Sequence, residues 1–324
     1  MSNPFDLPEK DVTPEPVYHS RRKWLKLAGI GALGIGAGVG GAFWWHLRGG
    51  TDKQVEERGR VDARSLEKLY PAKLNPKYSK LDRPMTERLK AARYCNFYEM
   101  SNYKNVWRYV DDFEPFPWKI RVDGLVHKPK TFDIEELLKL IPLEERRYRH
   151  RCVEAWAMAV PWTGFPITSL LKLVEPMAKA KFVRFVSFNR PEQAPNMRGN
   201  DYPWPYTEGL TIKEAENELA FIATGIYGRP LLKQHGAPIR LVVPWKYGFK
   251  SGKSIVRIEL TETRPATFWN TVTPHEYGFF ANVNPDVSHP RWSQKTERML
   301  GTDEERPTLL YNGYADQVAH LYKT

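Results

Sequence analysis

Sulfur is the scarcest functional atom in this 324-residue chain, which has only two cysteines, Cys95 and Cys152. Cys152 stands in Arg149-His150-Arg151-Cys152-Val153-Glu154-Ala155-Trp156, with three basic side chains before the sulfur. Such a field lowers a thiol's pKa and favours the thiolate, the form that ligates a metal or attacks a substrate. Three readings stay open on the residues alone. A structural Cys95–Cys152 disulfide is the default for two cysteines in an oxidising compartment; the others are a metal ligand and a nucleophile. Gly252-Lys253-Ser254 resembles the end of a nucleotide-binding phosphate loop, but that motif needs a glycine where Tyr247 stands. The eight histidines show no zinc spacing, and no Cys-x-x-Cys-His haem site occurs.

The elements that must position these residues read as strands joined by long proline-rich loops. A short helix is expected over 84–92. A strand at 118–122 runs into Asp123-Gly124, a hairpin signal before Leu125-Val126. Asp133 with Glu136 three residues on predicts a capping box for a helix over 134–141. Further strands are expected at 182–188, 239–243 and 254–261. In the last, Val256, Ile258 and Leu260 alternate with Arg257 and Glu259, which puts the apolar set on one face. Short helices fit 166–174 and 213–217. Few helices and several strands predict an α+β fold with mixed β-sheets and short helices.

Ahead of this body lies an address. Ser20-Arg21-Arg22-Lys23-Trp24-Leu25-Lys26 has the paired arginine of the twin-arginine export route, which is read by a receptor and carries folded chains. Residues 27–45 carry no charge and are diluted with glycine and alanine, which favours a cleaved signal over a permanent anchor. Residues 1–50 are therefore expected to be a disordered leader and signal segment, and 51–324 one catalytic domain whose first part, 51–80, is an extended arm. The net charge is +11, but export and the lack of a basic run interleaved with stacking aromatics argue against nucleic acid as a partner. With 11 tryptophans and 13% aromatic residues, the composition argues against disorder in the body.

The words around Cys152 carry a resemblance. Arg151-Cys152-Val153-Glu154-Ala155-Trp156, with Val160-Pro161-Trp162-Thr163-Gly164-Phe165-Pro166, resembles the cofactor core of the sulfite-oxidase-fold molybdoenzymes. The likeness continues through Gly236-Ala237-Pro238-Ile239-Arg240-Leu241, Val243-Pro244-Trp245-Lys246-Tyr247-Gly248-Phe249-Lys250 and His289-Pro290-Arg291-Trp292-Ser293-Gln294, to Pro307-Thr308-Leu309-Leu310-Tyr311-Asn312-Gly313-Tyr314. It is narrowest towards the periplasmic methionine-sulfoxide reductases of that family.

The resemblance implies a sulfite-oxidase-type molybdopterin-binding fold and a molybdenum held by one pyranopterin and one cysteine, Cys152. Soft thiolate on a redox metal suits that choice. It further implies that Asn96, Glu99, Met100, Ser187, His235, Arg240, Ser251, Gly252 and Lys253 hold the pterin. Arg240 offers a planar fork and Lys253 a point charge for its phosphate, and Ser251 and Gly252 present backbone N–H groups. His235 stands where relatives more often have asparagine, and Ser187 where they have threonine. The implied activity is reduction of protein-bound methionine sulfoxide in the periplasm, with electrons from a haem-b membrane subunit and oxidised periplasmic proteins as substrates. Trp156, Trp162 and Trp245 are expected as walls, since rings favour sulfur and methyl groups. Two alternatives remain: a sulfite-oxidase-like or small-molecule S/N-oxide enzyme whose anion pocket is Arg149, Arg151 and Arg291, and an exported binding module stapled by a Cys95–Cys152 disulfide.

Overall fold

The computed structural model describes residues 50–63 and 65–323; the expectations for the leader, the paired arginines and the 27–45 run fall outside them. The chain builds two sheets. In the first, of eight strands, β1 (Lys73–Leu74) lies parallel to β4 (Glu144–Arg151), which forms a hairpin with β5 (Trp156–Pro166). On its other side β5 meets β8 (Phe221–Ile226) and, in parallel, β12 (Thr296–Met299). β9 (Arg229–Pro230) and β10 (Arg240–Val242) extend from β8, and β13 (Glu305–Pro307) from β12. Every residue of β5 before Pro166 is buried, as a strand covered on both faces requires, so its apolar run shows no alternation. A side chain at Gly164 would place its first carbon 2.0 Å from the Ile222 carbonyl oxygen, beside the register shift at Thr163/Gly164.

The second sheet runs β3 (Lys130–Asp133), β2 (Lys119–Gly124), β11 (Ile255–Thr261), β6 (Phe182–Ser187) and β7 (Thr207–Thr211). β11 is parallel to β2 and antiparallel to β6. Parallel and antiparallel pairs coexist in both sheets, so the α+β architecture with mixed sheets holds. Two local expectations change. Asp123-Gly124 makes no tight hairpin: Gly124, at φ +82, lies against Leu260, and the chain loops through 125–129 before returning as β3. In β11 the ladder shifts register between Ile255 and Arg257. That bulge resets the alternation, so Ile255 is buried with Ile258 and Leu260 while Val256 is only half-buried.

The 51–80 arm is helical at its start. α1 (Asp52–Gly59) is opened by Thr51 and Gln54, which cap each other in a reciprocal box, and its Val55 packs with Ala92 and Trp107. α2 (Arg88–Arg93) overlaps the 84–92 expectation, starting four residues later and ending one residue beyond it. Asp133 caps α3 (Ile134–Leu140), but through the Glu135 N–H at 3.0 Å rather than through a box with Glu136. α4 (Ile167–Val174) follows Pro166 and buries Ile167, Leu170, Leu171 and Val174, one helical stripe. α5 (Ile212–Glu216) has a full capping box between Thr211 and Glu214, and α6 (Phe268–Val272) lies in the last third of the chain.

Candidate active site

Cys152 sits in the turn between β4 and β5. Its N–H donates to Trp156 O at 2.9 Å, and Ala155 N–H donates back to Cys152 O at 3.0 Å. Ala155 takes φ +66 to close that turn, a conformation uncommon outside glycine. Both cysteines are free thiols, which removes the disulfide-stapled binding module. The three basic neighbours do not activate the sulfur as expected. Arg149 pairs with Asp82 at 2.8 Å, and Arg151 pairs with buried Glu297 at 3.2 Å and donates to Gln294 Oε1 at 2.9 Å. Burial, with help from Arg240 and Lys253, keeps His150 neutral and pulls it down to about 3. Burial first, and then the Glu154 carboxylate, push Cys152 up to about 12, against the weaker pull of Lys104. A metal coordinated by this thiol would strip its proton outright.

The thiol opens into a cleft of about 780 Å³, including its mouth. Asn96, Glu99, His235, Arg240, Gly252 and Lys253 line it with Cys152. Met100, Ser187 and Ser251 do not. Met100 lies in the core, and Ser187 Oγ donates to Lys253 O at 2.7 Å. Ser251 Oγ accepts from Val243 N at 3.4 Å, and its carbonyl accepts from Arg240 at the same distance. These three support the lining residues from behind. The loop from Val243 to Lys253 is pinned by two buried pairs, Lys246 with Glu214 and Lys250 with Glu208. Gly248 in that loop is needed for clearance, because a side chain there would meet the His150 ring at 2.6 Å.

Charge in the cleft is unbalanced. Among the described residues neither Arg240 nor Lys253 forms an ion pair, and Arg240 donates to backbone carbonyls only, His235 O at 3.0 Å among them. Burial pulls Arg240 down to about 10; burial and then the Arg240 charge pull Lys253 down to about 8. Two acceptors also lack partners: Glu99 Oε1, and His235 Nδ1, whose ring uses Nε2 towards Ala91 O at 3.3 Å. Buried polar atoms without partners are costly. Paired cations answer a phosphate and the two acceptors answer ring N–H groups, so the residues present fit a pterin phosphate. No group of three or more His, Cys, Asp or Glu gathers as a metal site among the described residues, so a metal at Cys152 needs its other donors from outside the chain.

Glu154 was not singled out from the sequence, although it stands two residues after Cys152. Burial alone would raise its pKa, but the Lys104 charge and hydrogen bond hold it below the usual range. Lys104 Nζ reaches Glu154 at 2.7 Å and Asn96 Oδ1 at 2.6 Å; Asn96 Nδ2 in turn lies 3.5 Å from the Cys152 sulfur. Trp156 Nε1 completes the set, donating to Glu154 at 3.2 Å.

Of the three tryptophans expected as walls, only Trp156 lines the cleft. Trp162 is fully buried beneath the Arg240 guanidinium, 4.8 Å from its ring, and Trp245 is a core residue whose Nε1 donates to Tyr322 at 2.8 Å. Tyr98, Tyr206, Phe249, Trp269 and Tyr277 supply the other aromatic rings. Nothing in the sequence around Trp269 separated it from the core aromatics. The arginine pocket of the sulfite-oxidase-like alternative is not formed: Arg149 and Arg151 are paired as above, Arg291 lies 2.8 Å from Glu276, and none of the three lines the cleft.

The oxidoreductase molybdopterin-binding domain family matches residues 108–269. The chain is 45% identical over 98% of its length to the protein-methionine-sulfoxide reductase catalytic subunit MsrP of Burkholderia mallei, covering 93% of that protein. It is 43% identical over 98% of its length to the subunit of the same name from Ralstonia nicotianae, covering 94%.

Proposed function

The chain belongs to the family of protein-methionine-sulfoxide reductase catalytic subunits and carries its molybdopterin-binding domain; from that premise we propose that Cys152 is the protein ligand of a molybdenum seated in the cleft. The enzyme is a reductase of methionine sulfoxide in proteins. The reaction consumes two electrons and two protons, breaks the S–O bond and yields the thioether and water. When bound, the molybdopterin supplies the redox chemistry that side chains lack.

The chain's own residues bind and orient. Arg240 and Lys253 hold the pterin phosphate, one as a fork and the other as a point charge. His235 and Glu99 take ring N–H groups. Asn96 fixes the Cys152 sulfur by its amide N–H, and Lys104 holds both Asn96 and Glu154 in place. Tyr98, Trp269 and Tyr277 give the methyl and sulfur of the side chain an aromatic wall. The observation that carries this reading is a free thiol sharing one cleft with two buried cations that form no ion pair among the described residues.

Purified native protein should contain about one molybdenum per chain and reduce oxidised proteins with a reduced dye as donor. Cys152→Ser should keep its fold and pterin but lose turnover. Molybdenum-free active protein, or a fully active serine variant, would refute the ligand assignment. Rapid sulfite oxidation with no action on oxidised proteins would refute the substrate.

Electrons are proposed to come from a haem-b membrane subunit, a reading supported by the lack of a haem motif in this chain. Periplasmic location by the twin-arginine route is supported by Ser20 to Lys26. Among the described residues no helix is long and apolar enough to cross a membrane.

A further inference from the structure

A second cleft, of about 850 Å³, opens beside the first. The two share Val153, Phe249 and Tyr277, and Val153 is the residue next to Cys152. This common wall is braced: the Val153 carbonyl accepts from Trp292 Nε1 and from Gln294 Nε2, each at 2.8 Å. The second cleft therefore meets the first at the residue next to Cys152.

Its surface is unusual for this molecule. Six large apolar side chains are exposed among the described residues. Phe280, Val287 and Leu310 line this cleft, and Leu309 adjoins it in sequence; only Tyr103 and Leu140 lie apart. Val287 is 64% exposed. Apolar surface scattered singly is ordinary, but gathered at one place beside a site it marks docking. Asn284 and Ser288 lie among these residues, offering hydrogen bonds to a backbone.

We propose that this second cleft binds the polypeptide on either side of the oxidised methionine, while the sulfoxide side chain passes over Val153 into the Cys152 cleft. The inference rests on the reductase reading and adds where the rest of the substrate lies. A methionine side chain is short, so the backbone that carries it must rest on surface continuous with the reacting cleft. An extended chain advances roughly 3.5 Å per residue, and the exposed apolar side chains that this cleft offers to the neighbouring residues are Phe280, Val287 and Leu310. An electron donor is under no such constraint. Substrates with apolar residues flanking the sulfoxide are favoured, because removing apolar surface from water is favourable.

The test uses dye-reduced holoenzyme carrying Val287→Asp or Leu310→Asp, both at exposed positions. Substrates are free methionine sulfoxide, short blocked peptides with apolar or polar residues around the sulfoxide, and oxidised casein. The expected result is a fall of about tenfold in kcat/KM, through KM, for casein and apolar peptides, with free methionine sulfoxide within about twofold of wild type; tenfold corresponds to about 1.4 kcal/mol. Equal losses on all substrates would overturn the inference, since they would report damage at the thiol. Unchanged kinetics on all would also overturn it. So would unchanged dye-driven turnover together with slower electron entry from a membrane donor, which would assign the cleft to that donor. Wild-type holoenzyme inert towards every sulfoxide would sink the reductase reading and this inference together.

Discussion

His235 is buried beside two cations, and burial, opposed by its bond to Ala91 O, pulls its pKa from 6.5 down to about 4. The folded state thus rejects a proton that the unfolded state accepts. For a base shifted downward, the full stability is present above pH 6.5 and is lost as pH falls from 6.5 towards 4, by roughly 3 kcal/mol at most. His235→Asn should lessen the fall in the apoprotein's melting temperature across that interval while leaving it little changed at pH 7.5; the share contributed by His150, pulled down to about 3, remains. Thermal melts of both proteins from pH 4 to 8 check this, and identical slopes would show that the imidazole is not the sensor. Lys253 is shifted in the same direction, but only to about 8, so it keeps its charge at pH 7. Held in the cleft without an ion pair among the described residues, its charge costs the empty protein stability that a phosphate restores. Lys253→Met should raise the apoprotein's melting temperature and lower cofactor content about tenfold, measured as pterin and molybdenum per chain. A variant that stays fully loaded would remove the phosphate role.

At the scale of elements, Gly164 limits how close β5 and β8 can run. A Cβ added there would lie 2.0 and 2.8 Å from backbone atoms of Ile222 and Ala223, which cannot rotate away as a side chain does. Gly164→Ala should cost about 3 kcal/mol, read as a lower urea midpoint with an unchanged slope. β2, read from the alternation at 118–122, and β6, expected at 182–188, were legible in the sequence, as were the helix announced by Asp133 and the short one expected at 213–217. The hairpin that presents Cys152 was not legible as structure, only as a family word. β4 reads Glu-Glu-Arg-Arg-Tyr-Arg-His-Arg, so charge hides its period: Arg146 is buried with its guanidinium 4.3 Å from the Tyr78 ring and 4.8 Å from that of Phe221. β5 hides its own by being apolar on both faces. Bulges leave little trace in composition either, which is why Val256 was assigned to the wrong face. Of the residues named for the cofactor, chemistry alone supported Cys152. Resemblance supplied the rest, and it did not separate residues at the cleft surface from Met100, Ser187 and Ser251 behind it.

For the whole molecule, the proposed export route would couple an address to a pocket. On that proposal the paired guanidinium groups of Arg21 and Arg22 are what the receptor reads, and lysine's point charge would replace them poorly. Changing both to lysine should leave cofactor-loaded precursor in the cytoplasm, seen by fractionation and by molybdenum content; undiminished periplasmic activity would refute the address. The cleft draws on residues from Cys95 to Tyr277, most of the length of the chain. Synthesis runs from the amino end, so the proposed export signal would leave the ribosome first, while the last wall of the cleft is among the later parts to be made. If Arg21 and Arg22 are the address, the chain would for that interval be legible to an exporter with no pocket to fill. Delivery of an empty enzyme would then be a matter of timing, decided by whether the signal stays covered until Trp269 and Tyr277 have folded into place.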